Sequence, residues 1–328
     1  MAIYDGASEI ITVRAVTPLY GFSTDTTRLA ITEDVCIEET SEERLHIFNA
    51  KDVFIRHIHL YKPQHLLWHK LQFRREEFPL NWGAIQLFGS DAWDPDVHAM
   101  TFIQPVAQIL RGLHFFKPGR LIAGDTAFFV DRGTLLLSRC SDMAIDFFFV
   151  QQYQPHYELK EIELPFLSIF LAHFDAILVK ARQYPQIELA VQRYARESSL
   201  YGDAVELMIS LEALLVPEEE GIAFRLAQRV ANLLGSDALA RKELFKRIRE
   251  FYGVRSKIVH GAQFKPKDDF ALQHIDALRE ITRLVILSIM ALAADAGLED
   301  LPNTLNEMCF DDDLRRSIQS KSAALLHC

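Results

Sequence analysis

Arg255 and His260 stand five positions apart in the stretch Phe251-Tyr-Gly-Val-Arg-Ser-Lys-Ile-Val-His-Gly261. An imidazole takes and returns a proton near neutral pH, and a guanidinium stays charged at any pH a protein meets. Together they suit a reaction in which a proton moves while negative charge builds on a phosphorus centre, with no metal. The spacing alone says little, because chance supplies such pairs in a chain of 328 residues. On a regular helix, five residues turn through about 500°, so the two side chains diverge by about 140° and lie about 7.5 Å apart along the axis. One helix positions them poorly around a single phosphate. Two copies related by a two-fold axis can bring both pairs into one cleft.

The surrounding charge points the same way. The chain as a whole carries a formal charge of -10, which argues against a general nucleic-acid coat or a polybasic membrane binder. Between Arg225 and Lys267, however, eleven basic residues (Arg225, Arg229, Arg241, Lys242, Lys246, Arg247, Arg249, Arg255, Lys257, Lys265 and Lys267) face only Asp237, Glu243 and Glu250. That segment is +8 and the remainder is -18. A basic face on an acidic protein is what binding of a phosphate backbone requires; the alternative is a solvated face paired with the acidic remainder.

The elements that must carry these residues are helical. From Pro165 the sequence keeps a helical period, with expected helices over Phe166–Arg182, Gln186–Ser198, Asp203–Leu215, Ile222–Leu234, Ser236–His260 and Asp268–Ala296. Asp203 stands where an N-cap would sit, and Gly235, Gly261 and Gly297 follow helices as C-terminal caps do. Before Leu164, short apolar and alternating runs read as strands: Leu29–Thr32, Val35–Glu38, Val53–Leu60, Ala84–Phe88, Thr126–Val130, Thr134–Ser138 and Ala144–Val150. A helix is expected over Val97–Leu113, with Pro105 as an objection to one straight element. The expected fold is thus an α+β domain over 1–164, of unassigned role, an all-α helical bundle over 165–300 and a tail over 301–328.

The block Tyr252-x-x-Arg-Ser-x-Ile-Val-His-Gly261, preceded by Ser210-Leu-Glu-Ala-Leu-Leu215 and Phe224-Arg-Leu-Ala-Gln-Arg-Val-Ala-Asn-Leu-Leu234, resembles an ApeA-like HEPN domain. This helical module belongs to prokaryotic conflict and antiphage systems. The likeness spans roughly Gln186–Ala296, and Gln108–Gly119 looks like a segment found upstream in such proteins. It implies a metal-independent endoribonuclease acting in antiphage defence or a toxin-like programme, dimeric through the helical domain and needing no cofactor. Arg255 and His260 match the family's catalytic motif; Ser256 departs from the Asn, Asp or His that many members carry after the arginine, which bears on rate and substrate choice. Some members are RNA-binding or assembly modules instead. A non-catalytic dimeric scaffold, with a sensor or regulatory partner at the N-terminal domain, is therefore the competing expectation.

Around the pair, Ser256, Lys257, Tyr252, Arg249 and Glu212 are candidates for contacting RNA or supporting the site. Each also has a structural reading. Arg255 can pair with Glu212, His260 can sit on a helix dipole before Gly261, and Tyr252 can pack rather than stack on a base. A separate group, His57 and His59 on one strand face with His65 and His69 at i and i+4 of a helix, makes a metal-dependent enzyme a third reading. No carboxylate or cysteine nearby completes a familiar ligand pattern, and exposed or locally hydrogen-bonded histidines are the plain alternative.

Composition excludes other classes. With 49% hydrophobic residues the chain can bury a real core, so disorder and disulfide-stapled miniproteins are not expected. Cys36, Cys140, Cys309 and Cys328 form no C-x-x-C pair, which suits a reduced cytoplasm. The N-terminus lacks the pattern of a secretory signal, and Leu284–Ala294, the longest apolar run, is about half a membrane span and reads as core.

Overall fold

Alternating apolar residues build the N-terminal sheet. The structure is a computed structural model that describes residues 10–41, 65–74, 95–119, 121–124, 126–130, 134–137, 157–196, 200–218, 220–296 and 301–326. The elements up to residue 158 are β1 (Ile10–Tyr20), β2 (Phe22–Ser23), β3 (Arg28–Ala30), β4 (Val35–Glu39), β5 (His65–Arg74), α1 (Pro95–Phe116), β6 (Ile122–Ala123), β7 (Ala127–Val130), β8 (Thr134–Leu137) and β9 (Tyr157–Glu158). The main sheet runs β3-β4-β5-β1-β7-β8, with β6 also paired to β1. The long central pair β1–β5 is antiparallel, Val13 opposite Leu71 and Thr17 opposite Leu67. Strand alternation puts Val13, Ala15, Leu19, Leu67, Leu71, Ile37 and Leu29 on one face, all buried.

One expectation changes here, and one objection is answered. β5 carries His65 and His69, so these histidines lie on a strand and not on a helix face. Its sequence, HLLWHKLQFR, mixes apolar and polar residues at a spacing that satisfies either period, and pairing with both β1 and β4 decides it. Helix α1 runs on through Pro105, so the proline does not end it. The expected strands Val53–Leu60, Ala84–Phe88 and Ala144–Val150 lie outside the described residues.

The rest is mostly helical: α2 (Leu164–Ala181), α3 (Pro185–Ala195), α4 (Leu200–Leu215), α5 (Ile222–Leu234), α6 (Ala238–His260), α7 (Pro266–Gln273), α8 (Ile275–Ala296), α9 (Leu301–Glu307) and α10 (Asp312–Leu326). The chain divides into two compact units. The first holds α1 up to Leu113 and α2 up to Ser168; the second holds residues 114–118 and the chain from Ile169 onward, including the segment after 301. The Asp268–Ala296 stretch is two helices broken at His274. The apolar run Leu284–Ala294 lies within α8, where Val285, Ile286, Leu287, Ile289 and Met290 are buried in the helical core. Among the described residues, Glu161–Ala181 is the helix long and apolar enough to cross a membrane by length and composition. Its Leu167, Phe170, Phe174 and Leu178 are buried.

Asp203 is not an N-cap. Helix α4 starts three residues earlier, and the Asp203 carboxylate is buried and accepts from Arg279 of α8 at 3.0 Å. Arg279 also donates to the Tyr194 carbonyl at 3.3 Å and lies over its ring at 5.6 Å. The Tyr194 hydroxyl, pushed up to about 12 by burial, donates to the backbone carbonyl of His114.

His114 itself is fully enclosed, and neither ring nitrogen has a hydrogen-bond partner among the described residues. Burial, reinforced by the Arg279 charge, pulls its pKa from 6.5 down to about 3. The unfolded chain therefore takes this proton first. The stability of the neutral ring is complete above the unfolded value and is lost as the pH falls from about 6.5 towards 3. Between pH 7.5 and 5 the loss from this one group is about 2 kcal/mol. Urea midpoints at the two pH values should show it, and His114→Leu should flatten that part of the acid dependence.

Candidate functional site

The proposed chemistry rests on α6, a helix with well-defined ends. The Asp237 carboxylate accepts from the backbone N–H groups of Leu239 at 2.8 Å and Ala240 at 2.9 Å, closing the N-terminus. At the other end Gly261 takes a left-handed φ of 65°, and its successor Ala262 donates back to the Lys257 carbonyl. Gly235, which precedes this helix, is extended rather than left-handed. Its reason for being glycine is contact: a Cβ there would sit 2.5 Å from Arg241 Cγ and 2.6 Å from the Ala231 carbonyl.

Ile248, Phe251 and Val254 bury the inner face of α6 against α4 and α5. Arg255 follows that face inward. Its guanidinium reaches Glu212 Oε2 of α4 at 3.4 Å and lies over the Tyr252 ring at 5.9 Å, with both charged side chains about one-fifth exposed. Glu212 Oε1 and Arg255 Nε are enclosed without hydrogen-bond partners among the described residues. Burial pushes the Glu212 carboxyl up, and the Arg255 charge pulls it part of the way back. Tyr252 packs against the helical core.

His260 lies elsewhere. It is exposed in the last turn, with no hydrogen-bond partner among the described residues. The continuous helix therefore keeps the divergence of about 140° that the spacing implies, and within one chain Arg255 and His260 do not converge.

The supporting candidates also separate. Lys257 is ion-paired with the buried carboxylate of Asp268, which accepts in addition from the Lys265 backbone N–H at 2.7 Å. Ser256 is half-buried, while Arg249 is exposed and lies over the Phe245 ring at 5.9 Å. Of the residues that share a side with His260, Arg249 and Ser256 are candidates from the sequence, while Lys242, Lys246 and Gly253 are not singled out there as site residues. Lys242, Lys246, Arg249, Gly253, Ser256 and His260 follow each other at steps of 4, 3, 4, 3 and 4. Such steps hold them within about 40° of one line along the helix. That run of steps was the available signal.

No family model, curated protein or solved structure matches this chain.

The +8 segment is smaller as an exposed charge than as a sum. Arg229 is fully buried, paired with Glu218 at 2.6 Å and donating to the Leu215 carbonyl and to Asn306. Arg225 shares Glu218 at 3.0 Å, and the two arginines hold that carboxyl down at about 2. With Arg255 and Lys257, four of these cations have carboxylate partners among the described residues, all supplied from outside the segment. Lys242 and Lys246 are exposed and have none among the described residues.

In the N-terminal half, His65 is buried edge-on to Phe22 at 5.0 Å, and burial lowers the pKa of both His65 and His69. His57 and His59 lie outside the described residues. Among the described residues no group of three His, Cys, Asp or Glu side chains is placed to hold a metal ion.

Proposed function

We propose that this chain is a metal-independent endoribonuclease of the HEPN type, with residues 165–300 as its helical domain, acting as a cytoplasmic homodimer in antiphage defence or a toxin-like programme. The observation that carries the reading is His260: an exposed imidazole with no hydrogen-bond partner among the described residues, at the end of a helix whose outer side carries exposed cations that meet no carboxylate among them. In the proposed reaction the RNA 2'-hydroxyl attacks the adjacent phosphorus while His260 moves the proton. The P–O5' bond breaks, the 5'-oxygen receives a proton, and the products are a 2',3'-cyclic phosphate and a 5'-hydroxyl. Arg255, contributed across a two-fold axis, would stabilise the charge that builds on phosphorus.

A second reading has its own support. Arg255 is engaged by Glu212 on the side of α6 away from His260, as in a dimeric scaffold whose N-terminal domain senses a partner. Labelled RNA incubated in EDTA with the wild type, His260→Ala and Arg255→Ala separates the two. Cleavage by the wild type alone supports the nuclease. Intact RNA in every tube, with the dimer preserved by light scattering, supports the scaffold.

A further inference from the structure

The outer side of α6 combines three features that bear on what it binds. Lys242, Lys246 and Arg249 are exposed, lie on the line that ends at His260, and meet no carboxylate among the described residues. Midway along that line Gly253 leaves open space: a Cβ built there meets nothing within 4 Å. Beside the cations, Phe224 of α5 is 54% exposed and stands edge-on to Phe245 at 5.5 Å, while Phe245 lies under the Arg249 guanidinium.

We propose that this side of α6 is a track for single-stranded RNA, its phosphates held by Lys242, Lys246 and Arg249, one base stacked on Phe224, and its backbone passing Gly253 to reach His260. The proposal rests on the ribonuclease reading and adds the form of its substrate. Along the axis the cations are separated by about 6 and about 4.5 Å, and His260 lies about 16 Å beyond Arg249. Long, flexible side chains at that separation can reach successive phosphates. Three exposed cations would suit a duplex equally well; the exposed ring would not. In a duplex the base faces are already stacked on one another, whereas a single strand offers them to an aromatic side chain.

The test is fluorescence anisotropy with a short labelled oligoribonucleotide carrying 2'-methoxy sugars, which cannot be cut by its own 2'-oxygen, read over a salt series. The full-length protein is compared with the triple variant Lys242→Ala, Lys246→Ala, Arg249→Ala and, separately, with Phe224→Ala. The triple variant should bind more weakly and lower the log–log salt slope by about 2, because each single-strand phosphate contact contributes about 0.7. Phe224→Ala should weaken binding at least about fivefold with the slope unchanged. The wild type should prefer the single strand to its duplex. Circular dichroism confirms that each variant keeps its helices. Equal binding by wild type and triple variant, preference for the duplex, or no binding by the wild type overturns the track and leaves a solvated helix face. Failure of the ribonuclease reading looks different: the track variants then lose binding as described, while unmodified RNA stays intact with the wild type.

Discussion

Asp203→Ala should destabilise the helical unit by about 3–5 kcal/mol, the cost of leaving one partner of a buried ion pair without the other. The carboxylate and Arg279 are each almost fully enclosed, at 1% and 3% side-chain exposure, and join α4 to α8 at 3.0 Å. A guanidinium cannot escape by losing its proton, so it stays charged in the interior once Asp203 is gone. Against a typical domain stability of about 5–15 kcal/mol this is a large fraction, visible as a lower urea midpoint. The double variant Asp203→Leu, Arg279→Met should recover most of the loss, because two apolar residues carry no desolvation penalty. If the double variant is as unstable as Asp203→Ala, the pair is doing more than neutralising itself, and the Arg279 bond to the Tyr194 carbonyl is the next contact to examine.

The same pair shows where the sequence could be read and where it could not. Helix existence followed from period: Phe251, Val254 and Ile258 in α6, or Leu207, Leu211 and Leu214 in α4, repeat at helical steps, and each expected helix after Pro165 has a counterpart. A helix period does not say which polar residue turns inward. Asp203 beside Gly202 has the local chemistry of a cap, and only Arg279, seventy-six residues later, makes it a buried partner. Arg229 is the converse, counted with the exposed cations although Glu218 and Asn306 hold it inside. The strands fared similarly. Val35–Glu39 and Ala127–Val130 were legible as β-branched and aromatic runs, whereas the ten residues of β5 took their strand identity from neighbours on both sides. At the candidate site, the spacing of Arg255 and His260 already placed them on different sides of α6. What the spacing could not give was the inward Glu212 contact of the one and the open exposure of the other.

That difference makes the two site variants behave unlike one another. His260→Ala removes an exposed side chain, so melting should not move while cleavage falls by about 10²–10⁴-fold, the usual contribution of a positioned acid or base. Arg255→Ala should lower cleavage by about 10²–10³-fold, as loss of a group stabilising charge in the transition state does. It should also cost about 1–3 kcal/mol of stability, because the half-buried Glu212 carboxylate loses its cation and is already pushed up by burial. Measuring cleavage rate and melting midpoint on the same preparations gives two coordinates per variant. A ribonuclease puts His260→Ala low in rate at an unchanged midpoint and Arg255→Ala low in both. A scaffold puts Arg255→Ala low in midpoint only and leaves His260→Ala indistinguishable from the wild type. Because Arg255 serves packing under either reading, its loss of stability decides nothing by itself. The exposed histidine is the residue whose replacement separates catalysis from architecture.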